Sequence, residues 1–231
     1  MRNVILACEI LEDEINKARK EAGNQDPIVW IDSSLHMFPQ KLHDKLQEEI
    51  DRIDSELEAD NIVLSFGYCG NAIVGLKSVK SNLILPQAND CIDLFLYQNE
   101  DKTSIRSSGC YFLTRGWLKS KYSIVNEYDR YLEKYGQKKT ERIMDAMLAH
   151  YQCFTLIDTG AYSLEDCVPI ASEAARKCNM QLCTKKGSIS LLTKLFSGKW
   201  DANFCIVPPD SPITLDHFSA LNLTPSQGQI L

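Results

Sequence analysis

At 231 residues the chain is long enough for one large α/β domain or two small lobes, and 44% hydrophobic with 24% charged residues excludes disorder for most of its length. A net charge of −6 argues against a nucleic-acid partner, which needs a concentrated basic surface, and the acidic residues along Glu12 to Glu14 and Glu48 to Asp60 read as solvated helix faces. No apolar run approaches the ~20 residues that span a bilayer, and charge follows Met1 too soon for a secretory signal. The expectation is a cytoplasmic protein with no membrane segment, its nine cysteines kept as thiols or ligands.

Strand-like and helix-like stretches alternate along the chain. Val4-Ile5-Leu6-Ala7 predicts a first strand that delivers Cys8 at its end. Ile10 to Ala22 carries apolar residues near helical spacing among Glu, Asn and Lys. Ile28 to Asp32 predicts a second strand, closed by the cap-rich Asp32-Ser33-Ser34 turn and followed by His36. From Pro39, Leu42, Leu46, Ile50, Ile53 and Leu57 repeat at the helical period. Asn61 to Phe66 predicts a third strand, broken at Gly67 and the Cys69-Gly70-Asn71 turn. Ala72 to Val79 reads as a short helix, Leu83 to Leu85 as a buried strand, and Asp90 as the cap of a helix from Cys91 to Tyr97.

The polar stretch Asn99 to Gly109 reads as an exposed loop. Beyond it, Tyr111 to Thr114 predicts a strand stopped at Arg115-Gly116-Trp117, then helices over Lys119 to Tyr135 and Lys138 to Tyr151. Cys153 to Asp158, Met180 to Thr184 and Phe204 to Val207 predict strands, separated by helices over Glu165 to Cys178 and Ile189 to Phe196, with a loose tail after Asp210. Alternation of this kind defines Rossmann-like parallel sheets flanked by helices. Two α/β lobes are expected, 1–110 and 111–231, with one continuous sheet as the alternative.

Cys8, Cys69 and Cys91 each follow an apolar run, where an open parallel sheet gathers reactive groups. Three sulfurs with the His36 imidazole make a soft-metal donor set, and zinc is the favoured ion. Glu9 or Asp90 could replace His36 as ligand, or hold a ligand in place by hydrogen bonding. For each cysteine alone, packing in a core is the plain alternative. Gly70 and Asn71 offer backbone amides in a turn and Arg115 a bidentate cation, candidates to contact a small organic anion, and Asp158 is a strand-end carboxylate able to orient a ligand. Structural turns, ion pairs and caps are their plain uses. Lys185-Lys186-Gly187-Ser188 lacks the spacing of a phosphate-binding loop, and no GxGxxG follows the first strand. The remaining cysteines show no ligand spacing and no close pair in sequence.

Several strings resemble the family of domains of unknown function numbered 1638: Ala7-Cys8-Glu9, Gly67-Tyr68-Cys69-Gly70-Asn71, Leu85-Pro86 leading to Asp90-Cys91-Ile92, Tyr111 to Trp117, Asp158-Thr159-Gly160 and Ser197 to Asp201. Members occur in methanogens and anaerobic bacteria, often beside corrinoid-dependent methyltransferase genes. The resemblance implies one-carbon metabolism, a corrinoid or other tetrapyrrole as cofactor, and a corrinoid protein or small molecule as partner. Two functions remain open at this point: a metal-binding enzyme or accessory factor for methyl transfer, and an anion-binding or regulatory module without catalysis.

Overall fold

The structure, a computed structural model, describes residues 1–98, 106 and 109–218. They form two compact units, one from Met1–Phe95 with the described residues from Ile189 onward, the other from Leu96–Ser188. The expected boundary at 110 is therefore corrected, because the chain returns to the first unit for its last helix and strand.

The first unit is a five-stranded sheet in the order β2-β1-β3-β4-β8. β1 (Asn3–Cys8), β2 (Ile28–Ile31), β3 (Asn61–Ser65) and β4 (Asn82–Pro86) run parallel. β8 (Phe204–Val207) pairs antiparallel with β4, with Leu85 opposite Cys205. β1 and β3 are flanked on both sides, and their apolar residues are almost wholly buried, as central strands require. Each Ile or Leu so placed stabilises by ~1.5–3 kcal/mol relative to exposure.

α1 (Glu12–Ala22) follows β1 and packs against α8 (Ser190–Phe196), while α2 (Pro39–Glu56) starts on Pro39 in its first turn. The stripe foreseen in α2 holds for Leu42, Leu46, Ile50 and Ile53, all buried, but not for Leu57, which follows the helix end and is exposed. Asp54 lies on the same buried side. Its carboxylate accepts hydrogen bonds from the Ser78 hydroxyl at 2.7 Å, the Ser81 hydroxyl at 2.8 Å and the Val79 amide at 2.8 Å. This fan of donors satisfies a charge that would otherwise be costly to bury, and it fastens the β3–β4 connection to α2.

That connection is not the helix expected over Ala72 to Val79. Ala72, Ile73 and Leu76 are buried at helical spacing, but the chain there runs through turns. Gly75 has φ +90°, its amide donates to Ile213 O at 2.8 Å, and the Ile213 amide donates to Leu76 O at 2.9 Å. The segment after Asp210 is likewise not loose as far as Phe218: Ile213 and Phe218 are buried, and Phe218 packs on Tyr68 with ring centroids 5.3 Å apart. α3 (Cys91–Leu96) follows β4 as expected.

The second unit holds β5 (Cys110–Leu113), β6 (Cys153–Asp158) and β7 (Gln181–Lys186), all parallel in that order. Arg115, read as a strand stop, begins the short helix α4 (Arg115–Lys119), capped by the Thr114 hydroxyl, which accepts from the Trp117 amide at 3.4 Å. α5 (Ile124–Tyr135) and α6 (Gln137–Leu148) pack on one another, and α7 (Leu164–Lys177) covers β6 and β7. Tyr111, Leu113, Phe154, Leu156, Met144 and Ala171 meet in the core. β7 is largely exposed and ends in Lys185 and Lys186, charges that blunt an open sheet edge. The polar loop expected over Asn99 to Gly109 lies mostly outside the described residues.

Candidate thiol and imidazole site

Parallel pairing brings four strand ends to one edge of the first sheet. Cys8 sits opposite Ile31, and Ala7 opposite Ser65. The chain leaves β1 toward β2 on one side, then crosses back to β3 on the other, so strand order reverses between β1 and β3. Ligands of open α/β sheets bind at such a reversal, outside the carboxyl ends of the strands. Cys8 and the loop carrying Cys69 flank that point.

His36 reaches the edge from the 3-10 turn Ser33–Met37, which Asp32 caps by accepting the Ser34 amide at 2.7 Å. Its Nε2 lies 3.1 Å from Cys8 Sγ, and its ring stacks on Phe66 with centroids 6.3 Å apart. Burial lowers the imidazole from 6.5 to about 4, so His36 is neutral at physiological pH. Burial also pushes the Cys8 thiol up, aided by its neighbours Cys91, Glu9 and Asp32, while a hydrogen bond from the Ile10 backbone opposes the shift. Both groups are thus neutral, and a thiolate–imidazolium nucleophile of the cysteine-protease kind is disfavoured.

Cys69 follows β3 in a loop held by backbone pairing: the Tyr68 amide donates to Ala88 O at 2.8 Å and the Cys69 amide to Asn89 O at 3.0 Å. Gly67 makes this approach possible, since a Cβ there would lie 2.6 Å from Asp90 Cα and N. Those two amides are therefore spent on the neighbouring loop rather than offered to an anion. Cys69, Gly70 and Asn71 have φ of +47°, +62° and +77°, three successive left-handed residues of which only one is glycine. Burial raises the Cys69 thiol, followed by the charge of Asp90 and the neighbouring Cys8, against a backbone hydrogen bond from Gly67. Local strain of this kind concentrates at functional sites.

Cys91 opens α3, half-buried, and acts electrostatically on Cys8. Asp90 is committed to the helix start, its Oδ1 accepting from the Ile92 and Asp93 amides at 3.0 Å each. Glu9, Gly70 and Asn71 are exposed. The structure thus brings Cys8 and His36 into contact, with Cys69 and Cys91 within electrostatic range of Cys8. Among the described residues, no group of three or more His, Cys, Asp or Glu side chains converges so as to hold a metal ion.

Arg115 and Asp158 belong to the second unit. Asp158 Oδ1 accepts from the Gly160 amide at 3.0 Å and its carbonyl accepts from Gly187 at 2.9 Å, the turn-forming use of a strand-end carboxylate. One contact escaped sequence reasoning: Cys110 Sγ lies 2.9 Å from Cys153 Sγ across β5 and β6. The only signal was that both begin strands, because the register that opposes them has no mark in residue spacing.

Fold and site together define a Rossmann-like α/β protein whose first sheet gathers thiols and an imidazole at its strand-order reversal. The chain belongs to the family described as "Protein of unknown function (DUF1638)", matched over residues 30–196. That span includes His36, Cys69, Cys91, Arg115 and Asp158, while Cys8 precedes it. No curated protein and no solved structure matches the chain. Among the described residues, no helix is long and apolar enough to cross a membrane.

Proposed function

We propose that the carboxyl edge of the first sheet binds a soft metal ion, zinc foremost, through Cys8, His36, Cys69 and Cys91. The observation that carries this reading is the 3.1 Å approach of Cys8 Sγ and His36 Nε2 at the strand-order reversal. The donor chemistry fits: sulfur and neutral imidazole are the ligands zinc takes, and His36 keeps its lone pair down to a pH of about 4. Loading requires Cys69 and Cys91 to join the pair already in contact. Each thiol recruited must lose its proton, so uptake releases protons and weakens as pH falls.

The use we infer for the centre is methyl transfer in one-carbon metabolism, with a corrinoid protein or a small thiol as partner. Zinc held by thiolates keeps a substrate thiol deprotonated, the chemistry that methylation of sulfur requires. What supports this use is the likeness of the cysteine turns to family members found beside corrinoid methyltransferase genes. Within the chain, Phe66 stacked on His36 holds the imidazole in place, and Asp90 orders the turn that presents Cys91.

The test is elemental analysis of protein purified anaerobically, followed by zinc titration under reducing conditions. We expect near-stoichiometric zinc, lost in Cys8→Ser and Cys69→Ser variants that keep the wild-type circular dichroism. Metal-free protein that also fails to take up zinc on titration overturns the proposal, and a small anion co-purifying instead points to the binding-module alternative.

A further inference from the structure

We propose that Cys110 and Cys153 form a second thiol site, a redox-active pair in the second unit whose co-reactant is a low-molecular-weight disulfide. The two residues are direct partners in the parallel register of β5 and β6, so their side chains leave the sheet on the same face. Neighbouring strands lie ~4.8 Å apart, within the Cα separation a disulfide accepts, ~4.4–6.8 Å. The sulfurs are already 2.9 Å apart. Closing to the ~2.05 Å of a disulfide takes side-chain adjustment alone.

The backbone around the pair is fixed. The Gln152 amide donates to Gly109 O at 2.7 Å, tying together the residues that immediately precede the two cysteines. Both thiols are half-buried, so each keeps access to a small solute. Burial first, and then the hydrogen bond with Cys110, pushes the Cys153 thiol up to about 11. Cys183 shares the face, since it opposes Thr155, two residues along from Cys153, and it is exposed.

The reaction balances as two successive exchanges. One cysteine of the pair, its proton lost to solvent, attacks one sulfur of the small disulfide, forming a protein mixed disulfide and expelling one thiolate, which takes up a proton. The second cysteine, its own proton lost to solvent, attacks the protein sulfur of that mixed disulfide and expels the other thiolate, which takes up a proton in turn. Two protein thiols are oxidised to a cystine, and one small disulfide is reduced to two thiols.

The experiment equilibrates the full chain in mixtures of reduced and oxidised glutathione, quenches with acid, alkylates, and maps peptides by mass spectrometry. We expect two of the nine thiols to become resistant to alkylation and to appear as a Cys110–Cys153 cross-link. The link persists in Cys183→Ser, whereas Cys110→Ser leaves a glutathione adduct on Cys153 that does not resolve. Wild-type protein that links Cys153 to Cys183, accumulates only adducts, or leaves both cysteines alkylatable overturns the proposal. The wild-type map decides the matter even where a variant folds poorly.

Discussion

Gly67→Ala is the sharpest perturbation the structure offers. A methyl group there would stand 2.6 Å from Asp90 Cα and N and 2.8 Å from its carbonyl carbon. Ordinary contacts between heavy atoms lie near ~3.5–4.0 Å, so the loops after β3 and β4 must part by about an ångström. Both surfaces are backbone, and neither yields by rotating a side chain. Overpacking costs ~1–3 kcal/mol. Parting the loops also strains the hydrogen bonds from Tyr68 to Ala88 and from Cys69 to Asn89, each worth ~0.5–1.5 kcal/mol. The sum is a destabilisation of about 2–6 kcal/mol. Urea unfolding reports the total, and hydrogen exchange at the Tyr68 and Cys69 amides shows whether the loss is local. A variant within ~0.5 kcal/mol of wild type, with both amides still protected, would refute the close approach. Zinc affinity should fall with stability, because the same movement carries Cys69 away from Cys91.

Two further outcomes follow from the site. In metal-free protein His36 titrates near pH 4 when folded and near its ordinary 6.5 when unfolded, so between those values the unfolded chain binds the extra proton. Stability is therefore full above pH 6.5 and lost as pH falls toward 4, by ~3 kcal/mol; urea midpoints across that range should show a fall that His36→Gln reduces, and equal slopes in the two proteins would contradict the burial of the ring. At Cys69, φ +47° penalises any residue with a Cβ. Cys69→Gly should be more stable than Cys69→Ala by ~1 kcal/mol, the reverse of the order at a helical position, and thermal melts of the two variants suffice to check it.

The elements legible in residue order were those in which local pattern and burial agree. The apolar runs ending at Cys8, Ser65 and Pro86 are buried parallel strands, and the spacing of Leu42, Leu46, Ile50 and Ile53 is the inner face of α2. Ala72 to Val79 misled because Ala72, Ile73 and Leu76 are buried at helical spacing without a helix. The Gly75 amide and the Leu76 carbonyl pair instead with Ile213, far away in sequence, and local periodicity has no access to such a pairing. The unit boundary was misplaced for a similar reason: β8 has the signature of any short strand, and its partnership with β4 is a property of the edge left open there. The cysteines at strand ends share one edge of the first sheet, since parallel topology alone carries Cys8 and Cys69 to one end. The Cys8–His36 contact further depends on the 3-10 turn and on Phe66 beneath the ring. The Cys110–Cys153 contact depends on register, which a slip of one residue would abolish.

β8 has a consequence for how the molecule is made. A ribosome delivers β1 to β4 and every proposed ligand early, then must synthesise the whole of the second unit before the strand that covers β4 emerges. Until then the N–H and C=O groups along one side of β4 face the solvent as an uncapped seam, open to pairing with another nascent chain. Closure must wait for a contact between distant parts of the polypeptide, a slow kind of step.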